Sequence, residues 1–206
     1  MKIHTTLPRL AGAIVAAVLL AGCSGLGGSN QEKTTFYSLA AASDLQPIMT
    51  VGPTMIVGVG QVYLPDYLNR PQIVSFTSAY ELNLSEFNRW AGALDSDMNR
   101  VLTQNLTRLL PAMRIVSLPV RVTADPNLEV VLQVLAFERT ANGQVVLNVG
   151  WGVLAENGRK ALALRETTFR VQPADGSYAA TVAAMSDAMA TLSIEIAEEI
   201  AKHTGP

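Results

Sequence analysis

Residues 127–172 read NLEVVLQVLAFERTANGQVVLNVGWGVLAENGRKALALRETTFRVQ, and this stretch decides the fold. Three runs rich in β-branched and aliphatic side chains, Asn127 to Arg139, Gln144 to Glu156 and Ala161 to Gln172, are separated by Asn142-Gly143 and Asn157-Gly158. Asn-Gly suits tight hairpins because glycine has no Cβ to clash at positive φ and asparagine tolerates the same region. The stretch therefore predicts an antiparallel meander of three strands.

Upstream, Thr34 to Leu39 reads as a short strand, Ala40 to Pro53 as loop, and Thr54 to Leu64 as a largely buried valine- and isoleucine-rich strand. Pro65 and Pro71 bracket Asp66-Tyr67-Leu68-Asn69-Arg70 and keep it out of any central strand, so it reads as an ordered loop carrying aromatic side chains. Gln72 to Thr77 and Tyr80 to Leu84 give two more short strands. Ser85 has the character of a helix cap, with Glu86 near the positive end of the dipole. Phe87, Trp90, Leu94, Met98, Val101 and Leu102 then follow three- and four-residue spacings, predicting a helix that stops before Pro111. Arg114 to Leu118 resumes as strand. Downstream, Tyr178 to Lys202 carries one apolar face through Val182, Met185, Met189, Leu192, Ile196 and Ile200. The expected fold class is α/β: a single mixed, largely antiparallel sheet with two long helices packed against it, after a cleaved signal peptide and a flexible leash.

The 206 residues are 49% apolar, with 15 Lys+Arg against 17 Asp+Glu and a net charge of -2. No basic run is present, which argues against a nucleic-acid binder that works by neutralising phosphates. One cysteine excludes an intrachain disulfide framework and a cysteine-based zinc cage.

That cysteine has a different context. Lys2, His4 and Arg9 form a cationic start, and Leu10 to Gly22 runs for 13 residues without a charge, too short for the roughly 20 apolar residues of a spanning helix. Residues 1–22 therefore read as a secretory signal peptide. Leu20-Ala21-Gly22-Cys23 resembles the bacterial lipobox, in which the thiol is acylated and the chain cleaved ahead of it. Cys23 would become the lipidated first residue, residues 23–33 a Gly/Ser-rich tether, and 34–206 one domain. In such lipoproteins Asp after the cysteine signals inner-membrane retention; Ser24 stands here, so the resemblance favours the outer membrane, facing the periplasm.

Cleavage removes His4 and leaves His203, close to the chain end, as the only histidine. A histidine-dependent triad would need that terminus as its general base. No Gly-x-Ser-x-Gly elbow, His-Glu-x-x-His helix or phosphate loop occurs, and Gly58-Val59-Gly60 fits a glycine-bearing strand better than a dinucleotide loop. The carboxylate pairs Asp95 and Asp97, and Glu198 and Glu199, lie on predicted helices, where solvated faces are expected.

The lipobox, Phe36-Tyr37-Ser38-Leu39, and the run Val57-Gly58-Val59-Gly60-Gln61-Val62-Tyr63-Leu64-Pro65-Asp66-Tyr67-Leu68-Asn69-Arg70-Pro71-Gln72-Ile73-Val74 together resemble one family. Glu86-Phe87-Asn88-Arg89-Trp90-Ala91, Arg100 to Leu106 and Leu109-Leu110-Pro111 extend the likeness over most of the mature chain. The family is the PqiC-like ABC-type transport auxiliary lipoproteins, also called paraquat-inducible or membrane-integrity-associated lipoproteins. The resemblance implies an outer-membrane lipoprotein, not an enzyme and without a cofactor, that works with a periplasm-spanning MCE-domain protein in moving phospholipid, as a homo-oligomeric ring.

Partner contact is expected from Tyr63, Leu64, Pro65, Asp66, Tyr67, Leu68, Arg70 and Pro71, with Arg89 and Trp90, because tyrosines on a proline-stiffened segment offer apolar area at low entropic cost. The competing reading is structural: Tyr67 and Trp90 cover the open end of the sheet while Asp66 and Arg70 form an ion pair that fixes the loop. Two other functions stand beside the docking role. One is a stand-alone periplasmic carrier holding a lipid between sheet and terminal helix, with Met185 and Met189 as flexible lining. The other is an envelope hydrolase, ranked last for want of a general base.

Overall fold

In the computed structural model of the protein, which describes residues 33–49, 54–119 and 125–203, the meander forms with its turns at the two Asn-Gly pairs. The signal peptide, Cys23, the tether up to residue 32 and part of the 40–53 loop lie outside the described residues. β6 (Leu128–Arg139), β7 (Val145–Ala155) and β8 (Lys160–Val171) are antiparallel neighbours, paired along nearly their whole lengths. Gly143 sits at φ 87°, and the second turn takes Glu156, Asn157 and Gly158 through 55°, 54° and 78°.

The other edge of β6 is shared by two strands. β2 (Ile56–Tyr63) runs parallel to its first half, from Val57 opposite Leu128 to Tyr63 opposite Gln133. β3 (Gln72–Phe76) joins further along, where Ser75 lies opposite Arg139. β5 (Arg114–Ser117) extends the sheet beyond β2, and β4 (Leu82–Trp90) followed by β1 (Thr35–Tyr37) extends it beyond β3. The sheet is mixed, and its two longest ladders, β6 with β7 and β7 with β8, are antiparallel.

Two helices cover one face. α1 (Leu94–Leu109) packs over β2 and β5, α2 (Tyr178–Lys202) packs over β6, β7 and β8, and the two helices touch. Met98, Val101, Leu102 and Leu106 of α1 and Met185, Met189, Leu192 and Ile196 of α2 are fully buried against Val59, Val130, Leu132, Leu147 and Val149 of the sheet. Each such side chain contributes about 1.5–3 kcal/mol by leaving water. The Ser177 hydroxyl caps α2 by accepting from the Ala180 N–H at 3.1 Å. At 25 residues α2 has the length and composition to cross a membrane, but its apolar stripe is taken up by the core.

The start of α1 differs from the sequence expectation. Ser85, Glu86, Phe87 and Trp90 belong to β4, and the helix begins only at Leu94, behind Ala93, which makes no side-chain cap. Ser85 does make a caplike bond: its Oγ accepts the Asn88 N–H at 3.1 Å and the Asn88 amide at 2.9 Å. The bond closes a bulge, because the β3–β4 register jumps there, from Val74 opposite Leu84 to Gln72 opposite Arg89. A serine accepting from three residues on looks alike in a helix cap and in a bulge.

After β1 the chain crosses the helix layer as an extended strap, held largely by side chains. Asp97 accepts the Leu39 N–H at 2.6 Å and the Ser38 hydroxyl at 3.1 Å. Ser186 accepts the Ala40 N–H at 3.0 Å, and Asn105 accepts that of Ala42 at 3.0 Å while donating to Ser193 Oγ at 3.1 Å. Arg100 and Arg108 donate to the carbonyls of Leu39 and Ala42 at 2.7 and 2.8 Å. Asp97, Arg100, Asn105 and Arg108 recur at helical spacing, so one side of α1 works as a backbone clamp. Asp97 therefore departs from the solvated face expected of it.

Candidate functional site

The proline-bracketed segment fills the gap between β2 and β3. No strand pairs with that edge of β6 between Gln133 and Arg139 among the described residues, and the β6–β7 register carries a bulge between Val134 and Ala136. Leu64 to Pro71 leaves the sheet over this gap in a tight turn, with the Leu68 N–H donating to Pro65 O at 3.0 Å and the Asn69 N–H to Asp66 O at 3.2 Å. Pro71 ends the excursion and accepts the Trp90 N–H at 2.7 Å, fastening the segment to the end of β4. Both prolines stand where no ladder bond is needed from their nitrogens.

Tyr67 anchors the middle. Its hydroxyl donates to Glu138 Oε2 at 2.9 Å, and its ring meets Phe76 edge-on with centroids 6.4 Å apart. Glu138 is buried and also accepts the Phe137 N–H at 2.7 Å. Burial pushes the Glu138 carboxyl above its ordinary value against the opposing pull of the Tyr67 and Phe137 hydrogen bonds, and burial together with the nearby carboxylate pushes the Tyr67 phenol strongly up. Tyr67→Phe leaves that carboxylate one donor short; we expect a loss of about 1–3 kcal/mol in unfolding free energy, read by denaturant titration. Glu138→Gln keeps an acceptor without the buried charge and should cost less than Tyr67→Phe. A negligible cost of Tyr67→Phe would show that the phenol hydrogen bond does not hold the segment.

The residues expected at a partner surface divide by exposure. Leu68 and Trp90 are core residues, 2% and 5% exposed. Leu64 and Pro65 are half-buried, as is Arg89, whose Nε closes the β4 bulge by donating to Glu86 O at 2.9 Å. Arg70 sends its Nε inward without a hydrogen-bond partner among the described residues, and no ion pair joins it to Asp66. The loop is fixed by its turn and by Tyr67 instead. Tyr63, Asp66 and Pro71 remain on the surface, with Tyr63 60% exposed.

Tyr63 stands on the face of the sheet opposite the helices, and that face is unusually apolar. Leu164 of β8 is 69% exposed, and Leu135, Leu82 and Leu84 each expose more than a third of their surface. Tyr63 and Leu164 flank a depression of about 340 Å³ whose floor includes Val131, Gln133 and Gly150. A Cβ on Gly150 would meet only Gln133 O, at 3.8 Å, so the floor is open; at Gly152 the neighbouring Leu164 Cδ2 lies 2.6 Å from the same point. A rigid sheet with an apolar pit between two projecting side chains suits an apolar anchor from a partner.

A second cluster was not legible in the sequence. Glu199, expected on a solvated face, is only 9% exposed and gathers Arg165 Nη2 at 2.8 Å, Lys202 Nζ at 3.0 Å and His203 Nε2 at 3.3 Å. Lys202 foremost, then His203 and Arg165, hold its carboxyl below the usual range against the cost of burial. Arg165 also stacks over Trp151, 5.9 Å from the ring centroid, so the cluster ties the end of α2 to β7 and β8. It engages His203, the histidine on which a hydrolase would depend. Among the described residues no three His, Cys, Asp or Glu converge as metal ligands.

Comparison with known proteins agrees with this architecture. Residues 37–197 match the family described as the ABC-type transport auxiliary lipoprotein component. The chain is 30% identical over 190 residues to the intermembrane transport lipoprotein PqiC of Escherichia coli (strain K12), covering 90% of this chain and 94% of that protein. The PqiC of Shigella flexneri matches to the same extent. Among solved structures, protein XCC0632 from Xanthomonas campestris superposes with a TM-score of 0.70 at 14% identity, covering 82% of this chain and 95% of that one. An uncharacterized protein of known crystal structure gives the same TM-score at 24% identity, over 82% of this chain and 99% of that one; both likenesses concern the fold. The chain belongs to the ABC-type transport auxiliary lipoprotein family.

Proposed function

We propose that this chain is a lipid-anchored, non-catalytic subunit of an intermembrane phospholipid transport system of the MCE type. In this reading residues 1–22 are the signal peptide, acylated Cys23 holds the protein at the periplasmic face of the outer membrane, residues 23–33 are the tether, and 34–206 is the body that docks the periplasm-spanning MCE-domain protein, itself as a homo-oligomer. Relationship to PqiC supports the transport role. The observation that carries docking is the apolar sheet face between Tyr63 and Leu164, beside a segment stiffened by two prolines and the Tyr67–Glu138 hydrogen bond. Of the residues first considered for contact, Tyr63, Asp66, Pro71 and the outer parts of Leu64, Pro65, Tyr67, Arg70 and Arg89 form the surface, while Leu68 and Trp90 support it from below.

Affinity purification of the acylated protein from gently solubilised envelopes, followed by mass spectrometry of proteins and lipids, tests the reading. It should recover an MCE-domain protein together with phospholipid. Tyr63→Asp places a charge on the rim of the pit without touching the core, and should reduce that recovery roughly tenfold or more while leaving the thermal midpoint within about 2 °C. Undiminished recovery would move the docking surface elsewhere. Recovery of this lipoprotein alone with stoichiometric lipid would favour an independent carrier.

A further inference from the structure

We propose that the β1–β4 end of the sheet rests on the lipid surface to which the tether leads, so that the body is oriented by its own apolar side chains as well as held by its anchor. The inference rests on the acylation of Cys23 proposed above. Alternation along the strands turns four large apolar side chains away from the helices. Tyr37 and Trp90 lie opposite each other and pack into the core, which leaves Phe36 facing outward beside Arg89. The Asn88 side chain accepts the Tyr37 hydroxyl at 3.2 Å, and the Asn83 amide donates to the Tyr178 hydroxyl of α2 at 3.2 Å. Asn88 and Asn83 are thus on the helix side, and Phe87, Leu84 and Leu82 are on the other. Phe36 is 63% exposed, and Phe87, Leu84 and Leu82 are each exposed by more than a third. Tyr80 adds a fifth apolar group, 98% exposed at the tip of the β3–β4 turn, which closes where the Thr77 N–H donates to Glu81 O at 2.9 Å. Apolar groups gathered in this way mark a protein or membrane contact.

The path of the chain selects a lipid surface as the occupant. The compact unit opens at Thr34, directly before β1, and only residues 24–33 separate it from Cys23. Ten residues reach about 35 Å when fully extended and roughly 17 Å as a flexible coil. At such spans a second contact is effectively intramolecular, with a local concentration in the millimolar range, so a patch too weak to hold the protein by itself stays engaged beside the anchor. Its chemistry suits the boundary between water and acyl chains, where phenylalanine and leucine leave water and tyrosine keeps its hydroxyl wet. The charges within 33–37 and 80–89 are Lys33 and Arg89 against Glu81 and Glu86, which balance. The contact is therefore apolar, and a zwitterionic surface satisfies it without anionic lipid. The pit between Tyr63 and Leu164 lies on the far side of β3, toward β8, and is a separate surface.

The tests use phosphatidylcholine vesicles. Acylation consumes the Cys23 thiol, so in the acylated protein Tyr80→Cys and Thr168→Cys each offer a single site for an environment-sensitive fluorophore. The label at Tyr80→Cys should shift to the blue and be quenched by nitroxide-bearing lipid. That at Thr168→Cys, exposed on β8 at the other end of the sheet, should report water. A Tyr80→Cys label in water, or equal quenching at both positions, would overturn the proposal. Without acylation, the chain 23–206 carrying Cys23→Ser keeps the whole core between Leu39 and Ile200 and should float weakly with vesicles. Phe36→Ser with Phe87→Ser should lower its partition coefficient roughly tenfold, and Tyr80→Ser about threefold. Tyr80 has almost no contact with the fold, so its variant keeps the test decisive if the double variant misfolds. Added salt should change partition by less than about twofold. Partition indifferent to these substitutions, or tracking anionic lipid content, would sink the proposal. So would substitutions that alter self-association in ultracentrifugation but not flotation, which would assign the patch to a second copy. The anchor is read separately: release of the Cys23→Ser protein from membranes together with an unquenched Tyr80→Cys label rejects this inference alone, whereas vesicle binding that depends on Phe36 and Phe87 stands without acylation.

Discussion

Met189→Ala should lower the unfolding free energy by about 2–5 kcal/mol and leave recovery of the transport partner from intact protein unchanged. Met189 is fully buried on the face of α2 that meets the sheet, one turn from the equally closed Met185. Its backbone carbonyl accepts the Ser193 hydroxyl at 2.6 Å, and Ser193 in turn accepts from Asn105 of α1, so this level of α2 is also where the helices are tied together. Truncation opens a cavity that close-packed neighbours on two sides cannot collapse to fill. The same substitution separates the two binding schemes. If a lipid lay between sheet and terminal helix, a shorter side chain would alter lipid retention more than stability; with Met189 in the core, denaturant melts shift and co-purifying lipid does not. A small stability change with altered lipid content would restore the independent carrier.

Cys23→Ser should transfer the protein from the membrane pellet to the soluble periplasmic fraction. The expectation rests on the lipobox and on family membership, since Cys23 lies outside the described residues. Each buried methylene contributes about 0.8 kcal/mol, so two or three acyl chains hold firmly where one would exchange. The one helix of spanning length among the described residues, α2, has its stripe buried in the fold and offers no substitute anchor. Fractionation with immunoblotting reads the outcome, and persistence of the serine variant in the pellet would refute the lipid anchor. The released variant should retain wild-type circular dichroism, because the buried core is supplied by residues between Leu39 and Ile200.

Local chemistry was the legible part of the sequence. The meander could be read because glycine and asparagine at positive φ are a property of a few adjacent residues, and α2 because its apolar spacing persists through 25 residues. Ser85 misled because its hydroxyl bond to Asn88 spans the same three residues in a bulge as in a cap, and because Phe87 and Trp90 happen to sit three apart. The sharing of one edge of β6 by β2 and β3 depends on pairings far apart in the chain, which no local pattern records. For the same reason the bracketed segment could be recognised as a loop, but not that Leu68 turns into the core while Tyr67 reaches Glu138. Asp97 and Glu199 looked like surface acids, and only the fold brings to them the Leu39 amide and the Arg165 guanidinium.

The strap over α1 bears on how tension would pass through the molecule. Thr34 opens the compact unit, so a pull arriving from a lipidated Cys23 enters through β1, a three-residue strand that alone would peel away under modest load. Behind it the backbone at Leu39, Ala40, Ala42 and Ile48 is gripped in turn by Asp97, Ser186, Asn105 and the Leu109 carbonyl. The strain is thereby spread over both helices and carried through Asn105 and Ser193 into the centre of the fold. Under such a pull the load would fall on the helical layer, and the opposite face of the sheet would stand outside its path.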